Sequence, residues 1–190
     1  MQLADIAEVT SGYTFRERLD AYPDGDVAVL QMKNIDPDDR VLIDDLPRVG
    51  LADLNARQLL REGDIIFRAR GLFHTAAVLT GNLGNAVAAA PLMLIRVSSP
   101  KVLPEYLRWF INHPRTQATL MNLAAGSYVR TLNKAAIAEL EIPMLPLERQ
   151  RQIVAIAELG QREKTILNRI AERKSRVLEE ILAQVARNTR

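Results

Sequence analysis

LERQRQIVAIAELGQREKTILNRIAERKSRVLEEILAQVARNTR, residues 147–190, contains one glycine, Gly160, and no proline. The spacing predicts a single long helix. Pro143 and Pro146 just before it cannot lie in a helix interior, but Pro146 suits a first helical position and Glu148 suits the positive end of the helix dipole. A continuous helix from there to about Arg187 spans on the order of 60 Å at ~1.5 Å per residue, far above the average length. Ile153, Ile156, Leu167, Ile170, Val177 and Ile181 recur at intervals of three and four, with Ala157, Ala171, Leu178 and Val185 widening the seam on one side. That period is the signature of a coiled-coil stripe. Gly160, Glu163, Lys174 and Gln184 interrupt the same seam, which weakens it and bears on register and partner choice. We expect a dimerising or partner-binding helix at 146–190 and a globular domain at 1–145. The alternative is one amphipathic helix packed on the domain's own core.

The composition of the full 190 residues, 48% hydrophobic and 25% charged, suits a soluble globular protein. The absence of cysteine excludes a disulfide framework and a cysteine-based zinc site or nucleophile, and two isolated histidines do not make a metal site. No apolar run approaches ~18 residues and MQLADIAEV lacks the features of a signal peptide, so a cytoplasmic protein without membrane insertion is expected. Net charge is +2 but uneven. Residues 147–190 carry ten Lys/Arg against six Glu, whereas residues 1–146 carry fifteen against seventeen acidic residues. A modestly basic helix is ordinarily a solvated face, so local clusters must carry any case for nucleic acid.

Along the globule, residues 2–9 form a short amphipathic opening, broken by turn-forming residues from Thr10 to Thr14. Strands are expected at 27–30, 41–43, 65–67, 75–79 and within 86–97, separated by Gly, Asn and Asp turns. Short strands in series imply a curved or partly closed, mostly antiparallel sheet. Helices are expected at 52–60, 104–112, 114–123 and from Asn133 to Leu140, where the Asn133 side chain can accept from the backbone N–H of Ala135 or Ala136. The fold class is α+β, a sheet with short helices followed by the long coiled-coil helix.

Two clusters offer chemistry. Arg68, Arg70 and His74 follow the strand at 65–67; arginines two apart on an extended chain point the same way, and Gly71 permits close backbone approach. Guanidinium groups can bind guanine O6 and N7 or grip phosphates, although two solvent-facing edge residues would look the same. Ser127, Tyr128, Arg130, Thr131 and Lys134 combine hydroxyl, aromatic and basic groups after Gly126, and the following helix presents its N-terminal end. A plain surface loop is the alternative there. A third set is Arg16, Arg18, Lys33 and Asn34. Trp109 belongs to an apolar helix and reads as core rather than as a base-stacking platform. Pro23–Asp24 with Gln31–Met32–Lys33 has an outline of a magnesium nuclease motif, but the gap is short and glutamine stands at an acidic position. There is no phosphate-cradling GxxxxGK[ST] and no GxSxG, so a binding role without catalysis or cofactor is favoured.

Several stretches in order carry a resemblance: LADIAEVTSGYTF (3–15), LLREGDIIFRARG (59–71), LPEYLRWFIN (103–112), and the Gly126 loop leading to LNKAAIAELEIPMLPLERQRQI (132–153) ahead of the long helix. The IPxLPLxxQxxI run is the most specific. Together these resemble the specificity subunits of type I restriction-modification systems. The resemblance implies a target recognition domain that reads a short sequence in double-stranded DNA. It further implies long helices forming an antiparallel coiled coil that separates two such domains and docks methyltransferase (modification) subunits, with a restriction subunit as a further partner. Full-length members have two recognition domains and two helices; this chain has one of each and resembles a half-length form, expected to pair with itself or with another half-subunit. A homodimer would read a two-part site with inverted-repeat symmetry. The resemblance places DNA reading on the regions of Arg68, Arg70, Ser127, Tyr128 and Arg130. The rival expectation is a coiled-coil protein adaptor that never touches DNA.

Overall fold

The computed structural model describes residues 1–15, 25–51, 54–124 and 131–187. The chain divides into two compact units, Met1–Arg151 and Gln152–Arg190.

Within the first unit the described residues form two sheets. In chain order the strands are β1 (Ala7–Ser11), β2 (Val27–Leu30), β3 (Arg48–Val49), β4 (Ile65–Arg68), β5 (Ala76–Val78), β6 (Ala86–Ala88) and β7 (Leu92–Val97). One sheet runs β1-β7-β4-β5 and is antiparallel throughout; the other runs β3-β2-β6, with β2 antiparallel to β3 and parallel to β6. The mostly antiparallel α+β architecture expected from the strand series is present, as two sheets. The parallel β2–β6 pair joins residues nearly sixty positions apart, Ala28 to Ala86 and Leu30 to Ala88.

Alternation along β4 explains how the sheets are held. Ile66 points into a cluster with Leu30, Ala77, Ala86, Leu92 and Leu94, which draws on both sheets. Ile65 and Phe67 point the other way and are also fully buried. A strand covered on both faces reads as a continuous apolar run, and burying each such side chain contributes roughly 1.5–3 kcal/mol. A second cluster of Val27, Val29, Val49, Val87 and Ala89 lies on the opposite face of β2 and β6, with Tyr13 and Phe15 packed against it. Gly12 lets β1 pass close to this region: its N–H donates to Leu92 O at 2.9 Å, and a Cβ there would sit 2.6 Å from that same oxygen.

Helices α1 (Pro104–Asn112), α2 (Pro114–Leu123) and α3 (Lys134–Ala138) follow the expected spans closely, α3 stopping two residues short of Leu140. Asn133 Oδ1 accepts from Ala136 N–H at 2.8 Å, the cap its position predicts. Two expectations fail. Residues 54–60 are not helical but run through a turn to an isolated bridge between Leu59 and Val87, while residues 52 and 53 lie outside the described set. Residues 41–43 make only a bridge from Val41 to Ile35 rather than a strand. The amphipathic opening at 2–9 is a 3₁₀ turn at Leu3–Asp5 followed by β1, which continues through Thr10 and Ser11 where a break is expected.

The last helix, α4 (Leu147–Arg187), is 41 residues long and unbroken, starting one residue after Pro146. Its first turn lies in the first unit and is fixed there by Gln150, which is fully buried. The Gln150 side chain accepts from Leu103 N–H at 2.9 Å and donates to Lys101 O and Leu145 O, each at 2.8 Å. Tyr106 adds a hydrogen bond from its hydroxyl to Pro143 O at 2.8 Å. In the second unit α4 carries its apolar stripe exposed: Ile156 at 71%, Leu167 at 58%, Ile170 at 54%, Val177 at 52% and Ile181 at 50%. Ile153 is half-buried.

Candidate nucleic-acid interface

The connection between β4 and β5 carries the first cluster, and the structure separates its members. Arg68 ends β4 and is engaged inward. Its Nη2 donates to Ile35 O at 2.7 Å and to Asp36 O at 3.3 Å, its Nη1 donates to Thr75 Oγ1 at 3.3 Å, and Nη1 lies 3.6 Å from Asp39 Oδ1. Thr75 Oγ1 donates to Asp39 Oδ1 at 2.5 Å, and Asn112 Nδ2 reaches Asp39 Oδ2 at 3.3 Å while also donating to Ala76 O at 2.8 Å. Burial pushes the Asp39 carboxyl above its usual range, opposed by the Thr75 hydrogen bond and by the charges of Arg68 and Arg108.

His74 is completely buried. Its Nδ1 lies 3.1 Å from Arg68 O; since a carbonyl only accepts, this nitrogen carries the proton. Gln117 holds the His74 backbone from both sides, accepting from its N–H at 3.1 Å and donating to its carbonyl at 2.9 Å. The ring stacks on Phe67 with centroids 6.3 Å apart. Arg68 and His74 therefore brace the two ends of the β4–β5 connection from inside the fold.

Between these braces the chain turns outward. Arg70 is exposed, Gly71 adopts φ +132°, a conformation side chains resist, and Leu72 and Phe73 are 71% and 61% exposed. Residue type alone does not single out Leu72 and Phe73 as site residues. Their signal was the glycine that lifts them out of the sheet.

Ser127, Tyr128 and Arg130 lie outside the described residues, as do Arg16, Arg18 and Asp24. The chain re-enters at Thr131, which bridges antiparallel to Arg70, and Leu132 N–H donates to Ala69 O at 2.8 Å. Thr131 and Arg70, sixty-one residues apart in sequence, thus meet just beyond the end of β4. Lys134 is exposed at the start of α3, only five residues long. Of the third set, Lys33 is exposed in the 3₁₀ turn Met32–Asn34, while Asn34 Oδ1 accepts from Gln31 N–H at 2.9 Å and closes that turn. Trp109 is half-buried, stacked on Tyr106 with centroids 5.7 Å apart, and lines a groove of about 770 Å³ together with Phe110, His113, Leu123 and Pro143. Among the described residues no three His, Asp or Glu side chains gather into a metal site, and no helix is long and apolar enough to cross a membrane.

An α+β globular unit followed by a long helix with a coiled-coil stripe is the class of protein these features define. Residues 1–172 match the family model described as the type I restriction modification DNA specificity domain. The chain belongs to that family. It is similar to a Methanocaldococcus jannaschii protein described as a type I restriction enzyme MjaX specificity subunit, with 25% identity over 162 residues covering 82% of this chain and 37% of the relative. Among solved structures it resembles the HsdS subunit of Thermoanaerobacter tengcongensis, with a TM-score of 0.63 at 18% identity, covering 88% of this chain and 38% of that one. It also resembles a chain from a study of complex assembly and conformational transition in the type I R-M system, with a TM-score of 0.65 at 17% identity, covering 88% of this chain and 39% of the other. At these identities the solved structures establish a shared fold. The chain spans well under half the length of each of these relatives.

Proposed function

We propose that this chain is a noncatalytic DNA sequence-recognition subunit of a type I restriction-modification assembly. The globule of residues 1–145 reads one short sequence in double-stranded DNA. The helix of residues 146–190 pairs with a second long helix, from another copy or from a different half-subunit, and the paired helices offer the docking surface for methyltransferase subunits. When the second helix comes from another copy, the two identical reading heads select a bipartite site with inverted-repeat symmetry.

The observation that carries the reading is the braced tip from Arg70 to Phe73. It is an exposed guanidinium and two exposed apolar side chains held between the internal hydrogen bonds of Arg68 and His74, beside the return of the chain at Thr131, in a member of a DNA specificity family. Arg70 suits bidentate contact with guanine O6 and N7, and Leu72 and Phe73 suit contact with thymine methyls or wedging at a base step. Ser127, Tyr128 and Arg130, which precede Thr131, supply further base or backbone contacts, and Lys134 a phosphate contact. Arg68 and His74 act as positioning residues.

The test is duplex binding by fluorescence anisotropy across a salt series. A DNA-reading subunit loses affinity linearly in log salt, by about 0.9 log units per log unit of salt for each phosphate contact. A coiled-coil adaptor shows no such binding, and cleavage of the duplex by this chain alone with magnesium would overturn the noncatalytic reading.

A further inference from the structure

The exposed stripe of α4 contains two charges at seam positions, Glu163 and Lys174, eleven residues apart on an unbroken helix. In heptad terms Ile153, Gly160, Leu167, Lys174 and Ile181 occupy one core position, and Ile156, Glu163, Ile170, Val177 and Gln184 the other. A buried charge in a coiled-coil core destabilises unless an opposite charge meets it, so the placement of these two side chains constrains the partner.

Laid antiparallel against a second copy, with the twofold axis passing between residues 168 and 169, the two sets of core positions alternate across the seam. Leu167 then faces Ile170 of the other copy, Ile156 faces Ile181, Gly160 faces Val177 and Ile153 faces Gln184. In the same register Glu163 faces Lys174, and symmetry makes this pair twice. The overlap covers nearly all of Leu147–Arg187. Sliding by one heptad in either direction loses the match, because Lys174 then meets Ile156 or Ile170 and Glu163 meets Leu167 or Ile181. A parallel, in-register pair is worse still, since it sets Glu163 against Glu163 and Lys174 against Lys174. One arrangement alone neutralises both charges.

We infer that α4 is self-complementary: its partner is a second copy of this chain, antiparallel, in the register set by two Glu163–Lys174 ion pairs across the seam. The inference deepens the pairing role proposed above and rests on it. It converts what look like flaws in the stripe into the device that fixes orientation and register. The widening residues agree with it, as Ala157 of one copy lies beside Leu178 of the other on the same flank.

The chain contains no cysteine, so single thiols report geometry directly. Gly160 is helical with open space where a Cβ would go, and Val177 is exposed, so Gly160→Cys and Val177→Cys leave the fold intact. Under mild oxidation of the full chain, Gly160→Cys alone and Val177→Cys alone give no covalent dimer, whereas the double variant gives one, resolved by non-reducing electrophoresis. Covalent dimer from either single variant means parallel alignment and overturns the inference, as does a double variant that stays uncrosslinked. Charge reversal gives a second readout by light scattering. Glu163→Lys and Lys174→Glu each weaken self-association by at least about tenfold, because each creates two like-charge pairs. The double reversal restores it, and the two single variants pair with each other when mixed. Equal dimerisation by every variant overturns the ion-pair register. None of these readouts involves DNA, so a monomeric chain that still binds duplex would sink the register while leaving sequence recognition standing.

Discussion

Arg70 and Arg68 are two residues apart, yet their surroundings give them different work. Arg68 spends its donors on Ile35, Asp36 and Thr75, whereas Arg70 sits exposed at the lip of the Gly71 turn. Arg70→Ala is expected to reduce discrimination between duplex sequences at fixed salt, by about 1–3 kcal/mol at one base pair, with the salt slope nearly unchanged. Competition binding with single-base variants measures this, and unchanged binding to every sequence removes Arg70 from the interface. Other charged residues serve only stability. Asp64 is almost fully buried and paired bidentately with Arg96, through Nε to Oδ1 at 2.8 Å and Nη2 to Oδ2 at 2.7 Å, while also accepting from Arg61 N–H at 2.6 Å. Asp64→Ala leaves the Arg96 guanidinium with the Leu59 carbonyl but without its carboxylate, and should lower unfolding free energy by about 3–5 kcal/mol in urea titrations. Asp39 adds a pH dependence. Its folded pKa is raised above 3.8 by burial, so the folded state holds that proton more tightly than the unfolded chain does. The stability it contributes is present below 3.8 and is lost as pH rises through the raised value. Thermal melts of Asp39→Asn over this acid range should lack that portion of the decline; identical pH profiles would contradict the assignment.

At the scale of elements, the join between α1 and α4 depends on Gln150. In the sequence it is one polar residue in LERQRQI and reads as part of a solvated face; folded, it closes three backbone groups from Lys101, Leu103 and Leu145. Its position also explains why the IPxLPLxxQxxI run carries a glutamine there. Gln150→Leu, similar in bulk, should destabilise the first unit by about 2–4 kcal/mol, because it strands those groups away from water, and should leave the helicity of the rest of α4 unchanged. Denaturant titration with circular dichroism separates the two effects. What was readable in advance divides along the same line. The stripe of α4, the cap at Asn133 and the buried run of β4 are local patterns with a fixed period, and each appears where the pattern puts it. The parallel pairing of β2 with β6, the inward turn of Arg68 towards Asp39 and the burial of His74 against Gln117 depend on partners tens of residues away, which no local period encodes. Residues 54–60 show the reverse error: ADLNARQLL has helical spacing, but Leu59 and Leu60 are taken by backbone pairing with Val87 and Ala86.

At the scale of the molecule, the division of labour is between a unit that buries an apolar core, while exposing Leu72 and Phe73 at its tip, and a helix whose apolar stripe is exposed along its length. Ten large apolar side chains of α4 are at least half exposed, an arrangement that isolated soluble helices avoid and paired ones require. The candidate interface was legible only in part. Arg70 stood out by type and spacing, whereas Leu72 and Phe73 emerge only once Gly71 is seen lifting them from the sheet. The central claim is that this chain reads DNA sequence with paired heads. Selection of bound sites by the full chain from a pool of random duplexes tests it most directly. The account predicts an enriched site of two short halves, related as inverted repeats and separated by a gap of fixed length; recovery of a pool with no enriched sequence would contradict it.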